Sequence, residues 1–213
     1  MTKDVILNKL SKIGDQTDIP LKSSAVIIPL IEVDGQMHIL FEQRSLKLEF
    51  QPGDVCFPGG RIEEGETPRQ AAVREFMEEL LPDCKRQNNT KNATDNLEIL
   101  SALTPLMGPT GALVYPFVAL VKGYDYSFSS DEVERVFTYP ISYFYEHPAK
   151  RYPMEKRTIP PDDFPYEKVT GGSSTYNFHV QKYDMWVYED TEPVIWGFTG
   201  RLLHYFMVLL GEK

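Results

Sequence analysis

The chain has 213 residues, with 31 acidic and 22 basic side chains and a formal net charge of -9. This length is ample for one domain with a substantial core. The acidic balance, with an isoelectric point near 5.0, excludes a general nucleic-acid or membrane-surface binder. We therefore expect a single domain over residues 1–213 that binds neither nucleic acid nor membranes.

The two cysteines, Cys56 and Cys84, lack the spacing of a metal-binding or Cys-x-x-Cys redox motif. We interpret them as free thiols in a reducing compartment. The longest apolar run, residues 205–210, is too short to cross a bilayer. The amphipathic N-terminal segment does not resemble a signal peptide. Together these features predict a cytoplasmic location.

The first half of the chain predicts one helix and four strands. A short helix over residues 4–14 would end at Gly14. Residues 23–45 are typical of two strands joined by a tight turn at Asp34-Gly35. After a polar segment at residues 85–96, interpreted as a floppy surface loop, residues 96–107 and 112–123 predict two more strands.

The second half is less regular. Residues 129–147 begin with Ser and acidic residues, as helix N-termini do, and predict a helix. Residues 147–174 are dense in Pro, Gly and charge, and we interpret them as a long excursion that suits either a substrate lid or a homodimer contact. Residues 175–190 predict a strand, and the apolar residues 194–211 predict a closing helix.

The most informative segment is an acidic helix that follows a glycine-rich turn. Thr67 precedes Pro68, and Gln70 lies three positions after Thr67, which predicts a capping box at the helix start. An apolar set spaced i, i+3, i+4, i+7 predicts one buried stripe: Val73, Phe76, Met77, Leu80. Three glutamates spaced i, i+3, i+4 share a second face, predicted to lie opposite the stripe: Glu75, Glu78, Glu79.

Three carboxylates within one turn repel one another by a few tenths of a kcal/mol per pair on an exposed helix. A divalent cation, which prefers oxygen ligands, would remove that repulsion. The simpler interpretation is a solvated acidic face. However, the fixed spacing extends beyond the helix and reads G-x5-E-x7-R-E-x-x-E-E from Gly60 to Glu79.

This pattern, over residues 60–82, resembles the Nudix box. The resemblance implies a Nudix α/β/α sandwich with a mixed β-sheet. It also implies hydrolysis of a diphosphate linked to another moiety, with Mg²⁺ or Mn²⁺ as cofactor. In this family Glu75 and Glu79 would be metal ligands. Glu78 would be a further ligand or would orient one, and the Gly60 carbonyl would join them.

Two other positions of the box have structural expectations. The resemblance implies that Glu66 holds Arg74 by a charge-assisted pair, which would fix the loop against the helix. At the end of the box the chain departs from the family, because Leu81 and Pro82 stand where Gly and an aliphatic residue are usual. Pro82 disfavours helical geometry at Leu81 and would end the helix instead.

An upstream motif narrows the expected substrate. Arg44-Ser45, a spacer with Gly53, and the sequence from Phe57 to Gly60 are similar to a motif of the coenzyme A pyrophosphatase branch of Nudix hydrolases. The resemblance implies that coenzyme A or an acyl-CoA is cleaved to 4'-phosphopantetheine, or its acyl form, and adenosine 3',5'-bisphosphate. It makes Arg44, Ser45 and Phe57 candidate substrate-binding residues, since arginine holds phosphate bidentately.

Glu132 is a further candidate, as general base or extra metal ligand, because the branch has a similar acidic-Val pair at this place. The alternative is an ordinary glutamate at a helix N-terminus, favoured by the helix dipole. Two alternatives also remain for the function. One is a Nudix hydrolase of ADP-ribose, a dinucleoside polyphosphate or a nucleoside triphosphate, and the other is a catalytically silent nucleotide sensor.

Overall fold

The computed structural model describes Val5 and residues 23–82, 96–108 and 111–211. The elements of the first half are β1 (Ser23–Val33), β2 (Gln36–Arg44), β3 (Val55–Cys56), β4 (Gly59–Arg61) and α1 (Pro68–Leu80). Those of the second half are β5 (Leu97–Ala102), β6 (Leu106–Met107), β7 (Leu113–Val121), β8 (Val133–Pro140), α2 (Ile141–Glu146), β9 (Lys150–Lys156), α3 (Tyr166–Thr170), β10 (Gln181–Val187) and α4 (Gly197–Leu209). The predicted first helix, Cys84 and most of the predicted loop lie outside the described residues.

The main sheet is mixed. Its strands run in the order β3-β2-β1-β7-β5, with β4 beside β1, β6 beside β7 and β8 beside β2. Strands β1 and β7 are parallel, and the other pairs are antiparallel. The predicted hairpin is confirmed, since Asp34 and Gly35 have φ of 50° and 77°. Positive φ at both positions is what a two-residue type I′ turn requires.

A segment made of β3, β4 and the residues between them, 55–61, lies between β1 and β2 at the end far from their hairpin. We call this segment the wedge. The two strands pair only from Leu30 opposite Ile39 to the turn. Beyond that point β3 pairs with β2 and β4 pairs with β1. The Ile27 N–H donates to the Pro58 carbonyl at 2.9 Å, which completes the ladder. The wedge therefore brings the glycine-rich turn to the middle of the sheet.

Helices cover both faces of the sheet. Along β1, Ala25, Ile27 and Ile31 face α1, whereas Ile28 lies on the opposite face, because side chains alternate along a strand. The α1 face is packed with Ala71, Ala72, Phe76, Met77 and Leu80. The opposite face is packed with Phe144, Leu202, Leu203, Phe206 and Met207 from α2 and α4. The predicted α/β/α sandwich is confirmed.

The helix predicted over residues 129–147 is wrong for most of its length. Residues 133–140 form β8, which pairs with β2 from Val133 opposite Arg44 to Pro140 opposite His38. Only the short α2 follows. The Ser129 carbonyl accepts from the Val133 N–H at 2.9 Å, so the local signal marks a turn. Branched and aromatic side chains then favour the strand that β2 offers to pair with.

The predicted excursion contains regular structure. Strand β9 pairs with β10 in a separate two-stranded sheet, and the short α3 lies between them. The strand predicted over residues 175–190 is confirmed only for β10, residues 181–187, and the closing helix predicted over residues 194–211 is confirmed by α4. Within the described ranges, no helix has both the length and the apolar character needed to span a bilayer.

Candidate active site

Helix α1 begins and ends with local signals. The Gln70 N–H donates to Thr67 Oγ1 at 3.3 Å, and the Thr67 N–H donates to Gln70 Oε1 at 2.9 Å. The predicted capping box is therefore confirmed. The helix ends at Leu80, and the Leu81 N–H still donates to the Met77 carbonyl at 3.1 Å. The unusual Leu81-Pro82 end leaves the acidic part of the helix intact.

The glycine turn lies directly against two carboxylates of α1. The Gly59 N–H donates to Glu79 Oε2 at 2.8 Å. A Cβ on Gly60 would lie 2.5 Å from the Glu75 carboxylate. Gly59 itself has φ of 152°, and a Cβ there would collide with the Ala25 carbonyl. Only a bare backbone lets the turn lie this close to Glu75 on one side and to β1 on the other.

One expectation about the acidic helix is wrong. Glu79 does not lie on an exposed face opposite the apolar stripe, because only 4% of it is exposed. Ala72 lies two helical turns earlier on the same side and is fully buried. Glu79 therefore points between α1 and the sheet, whereas the side chains of Glu75 and Glu78 are 16% and 30% exposed.

Arg74 ties the loop before the helix to the acidic side chains. Its Nε and Nη2 donate to the two oxygens of Glu66 at 2.7 and 3.0 Å. Its Nη1 lies 2.9 Å from Glu75 and 3.3 Å from Glu78. Its Nη2 also donates to the Arg61 carbonyl at 3.0 Å. The guanidinium lowers the pKa of Glu66, and this bidentate pair fixes the loop against α1.

A fourth carboxylate, which the sequence reasoning missed, comes from β2. Glu42 is 1% exposed, and its Oε1 accepts a hydrogen bond from the Cys56 thiol at 3.0 Å. Its Oε2 is buried without a hydrogen-bond partner among the described residues. Glu42 lies two residues after the core residue Leu40, on the same face of β2. The sequence feature that could have revealed Glu42 is an acidic residue at an inward-facing position of an otherwise apolar strand.

Burial and mutual repulsion make this cluster electrostatically costly. The pKa of Glu42 is raised to about 7, mainly by burial and also by the charges of Glu132 and Glu75, although the Cys56 hydrogen bond and Arg44 oppose the shift. Burial also raises the pKa of Glu79 well above its ordinary value, and Glu42 adds to that effect. The pKa of Glu75 is raised by burial, although Arg74 opposes the shift. Such a cluster requires protons or a cation for compensation.

The donor set fits a divalent cation that prefers oxygen ligands, such as Mg²⁺ or Mn²⁺. Buried carboxylate oxygens, one of them without a partner among the described residues, lie beside the Gly59-Gly60 backbone. Across the described ranges, no three acidic, histidine or cysteine side chains are already spaced as an enclosing ligand set. Arg74 and the Gly59 N–H hold the glutamates in their present positions, and ligation would need Glu75 to turn from Arg74.

Glu132 lies close to this cluster, although it belongs to a different part of the chain. Its charge raises the pKa of Glu42, Glu75 and Glu79. It precedes β8 and is not part of a helix, so the alternative of a dipole-favoured helix residue is wrong. Its carbonyl accepts from the Ser45 N–H at 2.8 Å, which anchors the backbone beside β2.

The three upstream candidates occupy different environments. Ser45 is 1% exposed and Phe57 is 4% exposed, and the Phe57 ring stacks on Phe41 at 5.1 Å between centroids. Arg44 lies on the same face of β2 as Glu42, and its guanidinium makes two long contacts of 3.4 Å to the Phe50 carbonyl. Of the three candidates, Arg44 has the side chain best placed to contact a ligand. Substrate binding by Arg44, Ser45 and Phe57 stays a prediction.

The sandwich, the glycine turn and the buried carboxylates define a class of α/β enzyme that could bind a metal ion between a helix and a sheet. Comparison with known proteins agrees with this class. The NUDIX domain model matches residues 21–157. Nudix hydrolase 3 of Caenorhabditis elegans is 30% identical over 194 residues, which cover 87% of this chain and 72% of that protein.

Two further relatives are named coenzyme A diphosphatases. Peroxisomal coenzyme A diphosphatase NUDT7 of Mus musculus is 36% identical over 60% of this chain and 50% of its own length. Peroxisomal coenzyme A diphosphatase ndx-8 of Caenorhabditis elegans is 34% identical over 64% of this chain and 58% of its own. The chain belongs to the Nudix family, and the predicted enzyme class, a Nudix pyrophosphohydrolase, is confirmed.

Proposed function

We propose that this protein hydrolyses the diphosphate bond of coenzyme A or an acyl-CoA in a reaction that requires Mg²⁺ or Mn²⁺. The products are 4'-phosphopantetheine, or its acyl form, and adenosine 3',5'-bisphosphate. The observation that carries the proposal is the contact of the Gly59-Gly60 turn with Glu79 and Glu75. The turn and the helix thus bring backbone and carboxylate groups into direct contact.

The metal would be held by Glu75 and Glu79, with the Gly60 carbonyl and Glu78 beside them. A bound divalent cation screens phosphate charge and lowers the pKa of a bound water. The protein's own contribution is to hold these groups near one another: Gly59 orients Glu79, and Arg74 keeps Glu75 and Glu78 close until Glu75 turns toward the metal. Glu66 in turn holds Arg74 from the loop side.

Two residues outside the box are assigned to the reaction itself. Glu132 lies on the exposed rim of the cluster, so its carboxylate can accept a proton from the attacking water without desolvation. Arg44 lies two residues after Glu42, on the same α1-facing side of β2. Its proposed role is to bind a phosphate of the substrate. The Ser45 N–H donates to the Glu132 carbonyl at 2.8 Å. This bond keeps the backbones of Arg44 and Glu132 close together.

Support for coenzyme A comes from the upstream motif and the relatives. The two relatives named coenzyme A diphosphatases are 36% and 34% identical to this chain. The stretches that they share cover 60% and 64% of it. The Arg44-Ser45 to Phe57 segment forms the end of β2, a loop and β3. This segment begins two residues after Glu42, a member of the carboxylate cluster.

The test is a substrate panel with product identification by mass spectrometry. Coenzyme A, an acyl-CoA, dephospho-CoA, ADP-ribose, a dinucleoside tetraphosphate and ATP are incubated with the full chain and either Mg²⁺ or Mn²⁺. We expect the highest kcat/KM for coenzyme A or acyl-CoA, no turnover in chelator, and adenosine 3',5'-bisphosphate as a product. Glu98→Gln, an exposed glutamate of β5 paired with Lys122, is the control that should keep full activity.

Each alternative corresponds to a separate result. A higher kcat/KM for ADP-ribose, the tetraphosphate or ATP would reject coenzyme A and leave the general Nudix activity. Tight nucleotide binding with no turnover in either metal would favour a sensor over an enzyme. Full turnover in chelator would reject the metal requirement.

Domain organisation, assembly and location are also proposals. The family match ends at residue 157, yet Leu202, Leu203 and Phe206 of α4 pack into the same cluster as Ile28 of β1. This packing supports one domain over residues 1–213. A homodimer is checked by light scattering. The cytoplasmic location contrasts with the peroxisomal names of two relatives, and microscopy of the tagged full chain checks it.

A further inference from the structure

Glu42 occupies an unusual position for a charged residue. It lies within β2, directly opposite Cys56 of β3, with 1% of its surface exposed. Its side chain points to the α1 face, where Glu79 is 4% exposed. The two residues come from opposite sides of the same small volume, one from the sheet and one from the helix.

The two oxygens of Glu42 differ in their surroundings. Oε1 accepts the Cys56 hydrogen bond at 3.0 Å, whereas Oε2 has no partner in the described part of the chain. No salt bridge to Glu42 is formed among those residues, and the nearest basic residue on its strand is Arg44. A buried carboxylate oxygen without a donor or cation is costly, so native structures give such groups a ligand or a proton.

We propose that Glu42 is a further ligand of the metal centre, supplied by the sheet, and that the Cys56 thiol is a positioning residue. The thiol holds Oε1 and leaves Oε2 directed at the cation. The cation would then be bound between a carboxylate of β2 and the carboxylates of α1. The inference rests on the proposed metal dependence and does not depend on which substrate is cleaved.

The neighbouring contacts agree with this arrangement. The Gly59 N–H takes one oxygen of Glu79 at 2.8 Å, and Cys56 takes one oxygen of Glu42 at 3.0 Å. The wedge thus supplies one donor to each carboxylate and leaves the other oxygen of each for a ligand.

The first test measures Mn²⁺ binding by the full-length protein without substrate. Glu42→Gln keeps the size of the side chain and removes its charge. We expect Mn²⁺ affinity, measured by calorimetry or electron paramagnetic resonance, to fall about tenfold or more. The melting temperature without metal should stay equal or rise, because a buried repulsive charge is removed. Glu98→Gln, exposed and distant on β5, should leave both values unchanged.

The opposite pattern would overturn the proposal. A structural role predicts that Glu42→Gln lowers the melting temperature without metal and leaves Mn²⁺ affinity as in wild type. A protonated, inert Glu42 predicts no change in either value. If wild type itself binds no Mn²⁺, the metal dependence falls as well. Should Glu42→Gln fail to fold, Glu42→Asp, which keeps the charge, should bind Mn²⁺ more weakly than wild type.

The second test distinguishes the hydrogen bond that Cys56 donates from the packing of its side chain. Cys56→Ser keeps a hydrogen-bond donor at this position, and Cys56→Ala removes it. We expect the serine variant to keep Mn²⁺ affinity within about twofold and the alanine variant to lose several-fold, with unchanged circular dichroism. Equal affinities for the two variants would contradict a positioning role for Cys56.

Discussion

The two faces of the sheet carry helices of the same length with opposite roles. Helices α1 and α4 each have 13 residues. Helix α1 has a capping box, and it buries Glu79 next to Phe76. Helix α4 has no side-chain cap at Trp196. It buries six residues: Thr199, Gly200, Leu202, Leu203, Phe206, Met207. Both helices are packed on the sheet, and α1 adds a local capping box and a buried carboxylate that α4 lacks.

The contrast extends to the sheet beneath each helix. On the α4 face, Phe41 packs against Phe57, Phe137 and Phe144 at 5.1, 5.6 and 6.0 Å between centroids. On the α1 face, the next side chain of β2 beyond Leu40 is the buried Glu42. Thr199 of α4 also donates to the Val55 carbonyl at 2.8 Å. The apolar face therefore holds the wedge on which the carboxylates depend.

The largest effect is expected on the apolar face. Phe206→Ala should lower the free energy of unfolding by about 3–5 kcal/mol, because it leaves a cavity in the α4 cluster. The kcat of the remaining folded protein should change little, since Phe206 lies across the sheet from the carboxylates. Urea denaturation and kcat at a temperature where the variant is folded provide the measurements. A large drop in kcat with normal stability would show that Phe206 contributes to catalysis, and would contradict the separate roles of the two faces.

The next effect is expected on the charged face. Glu79→Gln should lower kcat by about 10²–10³-fold, the scale for loss of one electrostatic contact in a transition state. The glutamine carbonyl can still accept from Gly59, so the melting temperature without metal should stay equal or rise. Steady-state kinetics at saturating Mg²⁺ and thermal unfolding check both points. Near-normal turnover would refute the assignment of Glu79 as a ligand. Glu75→Gln should lower kcat on the same scale, although it also weakens the ion pair with Arg74.

Arg44 tests how far the charged face extends toward the substrate. Dephospho-CoA lacks the 3'-phosphate, and a charge-assisted contact to that group is worth about 1.5–3 kcal/mol, or roughly ten- to hundredfold in kcat/KM. Arg44→Ala should reduce the preference for coenzyme A over dephospho-CoA by that factor. If both substrates weaken equally, Arg44 contacts the shared diphosphate or shapes the loop.

The smallest effect is expected at Glu66, at the edge of the charged face. Glu66→Gln removes half of the bidentate pair with Arg74, and should lower the melting temperature slightly and kcat by less than Glu79→Gln does. Glu98→Gln, which breaks an exposed pair with Lys122, is the matched control and should change neither. An unchanged melting temperature with lost activity would make Glu66 a residue of the site, and the proposed structural role would be wrong.

The sequence predicted those features that depend on neighbouring residues. The turn at Asp34-Gly35 follows from two residues that tolerate positive φ, and the start of α1 follows from Thr67 and Gln70. The box spacing likewise led to the family, because its residues lie on one loop and one helix. Local geometry is encoded locally, so these predictions required no knowledge of the fold.

Only the tertiary structure decided the rest. Residues 133–140 form a strand because β2 offers an edge to pair with, which outweighs the local helix signal at Ser129. Glu79 is buried because the sheet lies against the Ala72 side of α1, and the spacing of its glutamates does not reveal this. Glu42 and Cys56 are 14 residues apart and meet only through the wedge between β1 and β2. Burial and contacts between distant segments depend on how elements pack, and a single sequence does not display that packing.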